Sequence, residues 1–127
     1  MPFSVLLVDD SPVVRQVLTM LIDTDERLTL ARAVGDGLQA AEAVSDDCPD
    51  AIVCDVAMPR MDGLEAVPIL RAACPSAVIV MYTSDPEAAY TAFELGADDV
   101  IAKTVDPRDL MDRIVDVFAR RTDPPET

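Results

Sequence analysis

The 127-residue sequence predicts an α/β domain of five strand–helix repeats, doubly wound, with a parallel sheet covered on both faces. Three observations carry that prediction. Apolar runs alternate with stretches of helical periodicity five times, polar residues of distinctive type close the runs, and the length suits one domain with a continuous core. Parallel strands need crossovers, and crossovers are right-handed, so helices fall on both sides of the sheet.

The elements follow in order. Val5 to Val8 is an unbroken apolar run, as expected of a strand buried on both faces, and it stops at Asp9-Asp10. Ser11 and Pro12 then serve as cap and first-turn residue of a helix whose predicted buried face is Val13, Val14, Val17, Leu18, Leu21 and Ile22. Leu28 to Val34 reads as the second strand. A helix from near Gly37 follows, with Leu38, Ala41 and Val44 facing inward. Ala51 to Cys54 is a short third strand ending at Asp55. After the loop from Met58 to Gly63, a helix carries Leu64, Val67 and Leu70, with Pro68 early enough in it to be tolerated. Asp62 with Gly63 reads as turn chemistry that starts this helix. Ala77 to Tyr82 is the most apolar strand and ends at Thr83. Pro86 opens a helix with Ala88, Ala89, Ala92 and Phe93 on one side, stopped by Gly96. A fifth strand near Val100 to Ala102 ends at Lys103, and a last helix from Pro107 to about Arg120 turns Leu110, Ile114, Val117 and Phe118 inward. Residues 1–121 form the expected domain, and 122–127, with two prolines and no core residue, a tail or the start of a linker.

Composition narrows the function. Ten Lys and Arg against 24 Asp and Glu give a net charge of −14, a field that opposes phosphate backbones and argues against direct nucleic-acid binding. No apolar run reaches the roughly 20 residues of a membrane span, and Met1 to Ser4 lacks the basic start of a signal peptide, so a cytoplasmic protein without membrane contact is expected. Cys48, Cys54 and Cys74 are odd in number and lack C-x-x-C spacing, and the chain has no histidine to complete a zinc set. They are expected to be free thiols, buried or partly buried, in a reducing compartment.

In open α/β sheets, ligands bind beyond the carboxyl ends of the strands. Asp9-Asp10, Asp55, Thr83 and Lys103 follow strands one, three, four and five, so one edge gathers them. Three carboxylates brought close repel one another unless a cation sits among them. All-oxygen ligation without histidine favours Mg²⁺, with Mn²⁺ acceptable: Asp10 and Asp55 as direct ligands, Asp9 through a water, and the backbone carbonyl of Ala57 completing the set. A carboxylate that attacks phosphorus forms an acyl phosphate, and such a transfer asks for positive charge and a hydroxyl on the phosphoryl oxygens. Lys103 and Thr83 match those needs. Asp55, standing alone in the middle of the set, is the better nucleophile.

Four segments, Val8-Asp9-Asp10-Ser11, Asp55-Val56-Ala57-Met58-Pro59-Arg60-Met61-Asp62-Gly63, Thr83-Ser84, and Gly96-Ala97-Asp98 leading to Lys103, together make the chain resemble a receiver domain of two-component response regulators, over roughly Phe3 to Arg121. That resemblance implies a flavodoxin-like fold with strand order 2-1-3-4-5. It also implies that a sensor histidine kinase or phosphotransfer protein donates a phosphoryl group to Asp55, with Mg²⁺ bound. Thr83 and Lys103 then sense the added charge and switch the face of helix 4, strand 5 and helix 5 towards an effector domain or protein, with homodimerisation on phosphorylation a compatible outcome. On this reading the chain is no enzyme on a separate substrate; it catalyses only its own phosphorylation and dephosphorylation.

Several positions depart from the family pattern. Val100 occupies the place of the usual aromatic switch residue and cannot swing a ring. Thr104 replaces the proline that commonly follows the lysine, so a trans bond is expected there. Ala57 and Asp85 flank the phosphoryl position and bear on hydrolysis. Two other functions remain compatible: a degenerate receiver that acts only as a docking module, and an aspartyl-phosphate phosphatase, against which Asp55-Val56-Ala57 offers no second acid.

Overall fold

The computed structural model of the chain describes residues 2–122. Five strands, β1 (Phe3–Val8), β2 (Leu28–Val34), β3 (Ala51–Cys54), β4 (Val78–Thr83) and β5 (Asp99–Ala102), form one sheet in the order β2-β1-β3-β4-β5, every neighbour parallel. They alternate with α1 (Pro12–Asp23), α2 (Gly37–Asp46), α3 (Gly63–Ala73), α4 (Ala89–Leu95) and α5 (Pro107–Thr122), and a 3₁₀ turn at Pro86–Ala88 precedes α4. The five-repeat fold and strand order are as the sequence led us to expect. The tail expected at 122–127 lies outside the described residues except for Thr122, which is the last residue of α5.

Alternation along the strands splits the core into two layers. Leu6, Val8, Ile52, Ile79 and Met81 face α2, α3 and α4 and pack on Ala40, Val44, Val67, Leu70 and Ala92. Val5, Leu7, Val53, Val80 and Ile101 face α1 and α5 and meet Leu18, Ile22, Leu110 and Ile114. Central strands β3 and β4 are buried along their whole length, hence their unbroken apolar runs, whereas β2 sits at the sheet edge and is largely exposed.

Local chemistry sets the helix starts. Ser11 accepts a hydrogen bond from Val14 N–H and Asp36 from Gln39 N–H, while Asp62 and Glu65 form a reciprocal capping box. Pro68 is the sixth residue of α3 and exposed; it removes one intrahelical donor, and the helix continues past it to Ala73. Gly96 ends α4 at φ 122°, a conformation that glycine adopts without strain.

Three helix faces differ from expectation. Val13 (67% exposed) and Val17 of α1, Leu38 of α2 and Phe93 of α4 are exposed, since each helix turns a narrower stripe inward: Leu18 and Ile22 in α1, Gly37, Ala40 and Val44 in α2, and Ala92 in α4, with Ala88 of the preceding turn. Periodicity located the helices but overestimated the width of their buried faces. The cysteines also differ: Cys48 and Cys74 are joined by a disulfide, and only Cys54 is free, fully buried in β3. Cys48, just before β3, and Cys74, capping α3, approach to a Cα–Cα distance of 5.7 Å because the β3–α3 crossover returns the chain to the same end of the sheet.

Candidate functional site

The carboxyl ends of β1, β3, β4 and β5 bring together Asp9, Asp10, Asp55, Thr83 and Lys103. Sheet hydrogen bonding continues just past the strands and fixes their backbones. Asp55 N–H donates to Val8 C=O at 2.8 Å, Asp9 N–H to Val34 C=O at 3.1 Å, and Lys103 N–H to Thr83 C=O at 2.8 Å. Asp9 and Asp55 are buried (4% and 5% exposed), Thr83 is at 1%, and Asp10 faces solvent.

Lys103 is the hub. Its Nζ lies 2.9 Å from Asp9 Oδ2 and 3.0 Å from Asp55 Oδ2. The other carboxylate oxygens bind main chain: Asp9 Oδ1 accepts from Ser11 N–H at 2.9 Å, and Asp55 Oδ1 from Val56 N–H at 2.7 Å. Thr83 Oγ1 accepts from Asp85 N–H at 3.0 Å, which leaves the hydroxyl proton available to a ligand. Arg15 donates to the Asp9 carbonyl at 2.6 Å and anchors the end of β1.

One carboxylate oxygen from each of Asp9, Asp10 and Asp55 lies within 4.8 Å of the others. Three carboxylates against one ammonium leave the cluster negative, and its donors are all hard oxygens. That set suits Mg²⁺, which binds one or two carboxylates and keeps several waters. Burial pushes the Asp55 carboxyl above the ordinary aspartate range; the Lys103 hydrogen bond pulls back and the Asp9 charge pushes further the same way as burial. For Lys103, burial works against the ammonium, yet the hydrogen bonds it donates to Asp9 and Asp55 outweigh it and hold its pKa above the usual value. A cation among the acids would relieve the strain on Asp55.

The loop after Asp55 is shaped by two contacts. Gly63 N–H donates to Val56 C=O at 2.7 Å, and a side-chain carbon on Gly63 would come within 1.9 Å of the Asp55 carbonyl, so only glycine fits. Arg60, at φ 65°, pairs with the buried carboxylate of Asp36 and ties the loop to the start of α2. Sequence reasoning missed both the Asp36 cap and its pairing with Arg60, which carries no sequence signal at a separation of 24 residues. Ala57 is exposed in this loop and Asp85 is exposed beyond Thr83, both on the rim of the site. Val100 lies half-buried in β5, packed against the α2–α4 core layer. Among the described residues no peptide bond is cis, so the Lys103–Thr104 bond is trans as expected.

Comparison with known proteins agrees with the geometry. The response regulator receiver domain family matches residues 5–115. A protein-glutamate methylesterase/protein-glutamine glutaminase of Rhodopseudomonas palustris is 37% identical over 123 residues, covering 94% of this chain and 33% of that protein. The response regulator domain of Thermotoga maritima CheB superposes with a TM-score of 0.86 at 28% identity, covering 98% of this chain and all of that one. The CheX-CheY-BeF3-Mg+2 complex from Borrelia burgdorferi gives a TM-score of 0.86 at 25% identity, covering 93% and 90%. The chain thus spans about a third of the length of the curated relatives it matches. Their names correct one expectation, that the chain is no enzyme and catalyses only its own phosphorylation and dephosphorylation: these relatives are named as enzymes, of which the chain corresponds to the receiver portion alone. Among the described residues no helix is long and apolar enough to cross a membrane.

Proposed function

The chain belongs to the response regulator receiver domain family, and from that premise we propose that Asp55 is its phosphoacceptor, with a Mg²⁺ site formed by Asp9, Asp10, Asp55 and the Ala57 carbonyl. Phosphoacceptor signalling in two-component systems is the function of the family, and a phosphodonor and an effector are its partners. The observation that carries the assignment is the carboxylate of Asp55, buried at the end of β3 and held at 3.0 Å by Lys103 beside two further acids.

The chemistry follows from the placement. Asp55 Oδ attacks the phosphorus of a phosphohistidine on a histidine kinase or phosphotransfer protein; the P–N bond breaks and a P–O bond forms. Lys103, already charged and aimed at Asp55, stabilises one phosphoryl oxygen, and the Thr83 hydroxyl donates to another. Bound Mg²⁺ would offset much of the negative charge that the three carboxylates and the incoming phosphoryl group bring together. Asp9 keeps Lys103 in register before and after transfer. Lys103 and Thr83, hydrogen-bonded to each other through their backbones, carry the new charge to β5 and the α4–β5–α5 face. Ala57 and Asp85 on the rim set access for the hydrolytic water. With Val100 in place of an aromatic, the movement of Thr83 and its loop transmits the switch without a ring.

Residues 1–121 form the receiver unit, which works in the cytoplasm. The output we propose for it is a methylesterase or glutaminase unit of the kind named for the relatives. Intact-protein mass after incubation with acetyl phosphate, with Mg²⁺ or with chelator, tests the assignment. We expect one added phosphoryl group, only with Mg²⁺, mapped to the Asp55 peptide. Labelling elsewhere, or none from either acetyl phosphate or a phosphorylated histidine kinase, overturns it.

A further inference from the structure

The disulfide lies at the opposite end of β3 from Asp55. Cys48 precedes the strand and Asp55 follows it, and Cys74 caps the C-terminus of α3, so the covalent ring from 48 to 74 contains β3, the Asp55 loop and all of α3. The two sulfurs differ in access. Cys48 is exposed, while Cys74 is 1% exposed and packed in the α2–α4 core layer. A groove of about 380 Å³ runs over the pair, walled by Pro49, Pro75 and Phe118. The third cysteine is chemically apart: Cys54 is fully buried, and burial, followed by the charges of Asp55 and Asp9, pushes its thiol far up.

We propose that Cys48–Cys74 is a reversible thiol–disulfide exchange site, attacked at Cys48 through this groove by a neutral or cationic thiol. An incoming thiolate forms a new S–S bond to Cys48 Sγ as the Cys48–Cys74 bond breaks. Cys74 leaves with the electron pair and takes a proton from solvent. A second thiol then attacks the reductant sulfur of the mixed disulfide, releasing an oxidised reductant and Cys48 as a thiol. Two electrons pass from two thiols to the protein, and the reverse sequence closes the ring. Burial of Cys74 directs the first attack to Cys48, and the reduced pair remains in place for reclosure because β3 and α3 are held by the core. Charge selects the co-reactant. The chain carries −14, and Asp50 lines the groove with Asp46 and Asp47 nearby in sequence, so anionic thiols are repelled. Where the chain works in a reducing compartment, such bonds are exchanged rather than permanent. The exchange requires nothing of Asp55.

The test uses the full chain equilibrated with cystamine and freed of small molecules. Alkylation in denaturant should find one thiol, on Cys54, before reduction and three after it. The native oxidised chain is then treated with cysteamine, quenched with acid and mapped: the mixed disulfide should sit on Cys48, with Cys74 as the new thiol. Cysteamine should react several-fold faster than glutathione at low salt, with the gap narrowing as salt rises. Cys74→Ser should take a cysteamine adduct from cystamine on Cys48, whereas Cys48→Ser should take none. Opening the ring should lower the urea midpoint by about 1 M or more. Three thiols after cystamine treatment, or a first adduct on Cys74, would overturn the proposal, and the wild-type mapping decides it even if a variant fails to fold.

Discussion

The two ends of the sheet are built from similar residues to opposite effect. At the amino end Asp50 and Asp98 are held by donors within the chain. Asp50 accepts from the Ser4 N–H and hydroxyl, Asp98 accepts from Ile79 N–H and pairs with Arg71, and the same guanidinium donates to the carbonyls of Gly96 and Ala77. At the carboxyl end, Asp9 and Asp55 share one lysine beside Asp10, and burial holds Asp55 above its ordinary pKa. Geometry at both ends is satisfied: among the described residues no buried side-chain polar atom lacks a hydrogen-bond partner. What is left uncompensated at the carboxyl end is charge, at the point where a ligand is to be bound. The amino end therefore holds the fold and the carboxyl end stores an electrostatic demand that a cation and a phosphoryl group can meet.

Substitutions can break this contrast at either end. The largest effect is expected for Asp55→Asn, which should abolish acid-labile phosphoryl labelling while the fold persists, and should raise the thermal midpoint of the metal-free chain by removing a buried charge. Equal labelling of the variant at an acyl phosphate would show that another carboxylate is the acceptor. Lys103→Ala should slow labelling by about 10²-fold, the usual cost of removing one charge-stabilising donor, with a much smaller change in Mg²⁺ affinity measured by titration. A larger loss of metal binding than of labelling would reverse the roles given to Lys103 and the acids.

At the amino end, Arg71→Ala should cost about 2–3 kcal/mol in urea unfolding, because it removes the cationic partner of the largely buried Asp98 carboxylate and the donor to the carbonyls of Pro75, Ala77 and Gly96. Labelling of the folded fraction should be unchanged, and a loss there would mean that the two ends are coupled. The smallest expected effect is that of pH. With its pKa raised in the folded state, Asp55 adds stability to the metal-free chain that is fully present below the unfolded value of 3.8 and is lost as pH rises through the folded value. Mg²⁺ affinity should run the other way, falling as pH drops through the same point. Subtracting the Asp55→Asn stability profile from that of the wild type isolates this component, and a flat difference would contradict the burial effect.

Much of this was legible before folding because it depends on short stretches of chain. The runs Val5–Val8 and Ala51–Cys54, the Ser11-Pro12 helix start, the Asp62 cap and the Gly96 stop are local solutions to burial and hydrogen bonding, and each appears where its chemistry lies. Asp9, Asp10, Asp55, Thr83 and Lys103 were found as a set because a parallel sheet brings all strand ends to one edge, a rule that needs only the alternation of elements. The buried faces of α1 and α4 are narrower than periodicity predicts, since Val13, Val17 and Phe93 recur at helical spacing whether or not anything covers them. Residue periodicity records what a helix could bury, and packing decides how much it does.

Sequence alone therefore determined the fold class, the element order and the edge at which the chemistry gathers, because apolar period and cap residues act over a few positions. Tertiary structure alone decided which charges meet: Lys103 between Asp9 and Asp55, Arg60 on Asp36, Arg71 on Asp98, and Cys48 joined to Cys74 where parity suggested free thiols. Each of those pairs spans 20 residues or more, and their meeting is fixed by crossovers and strand order rather than by anything in the residues' own neighbourhoods.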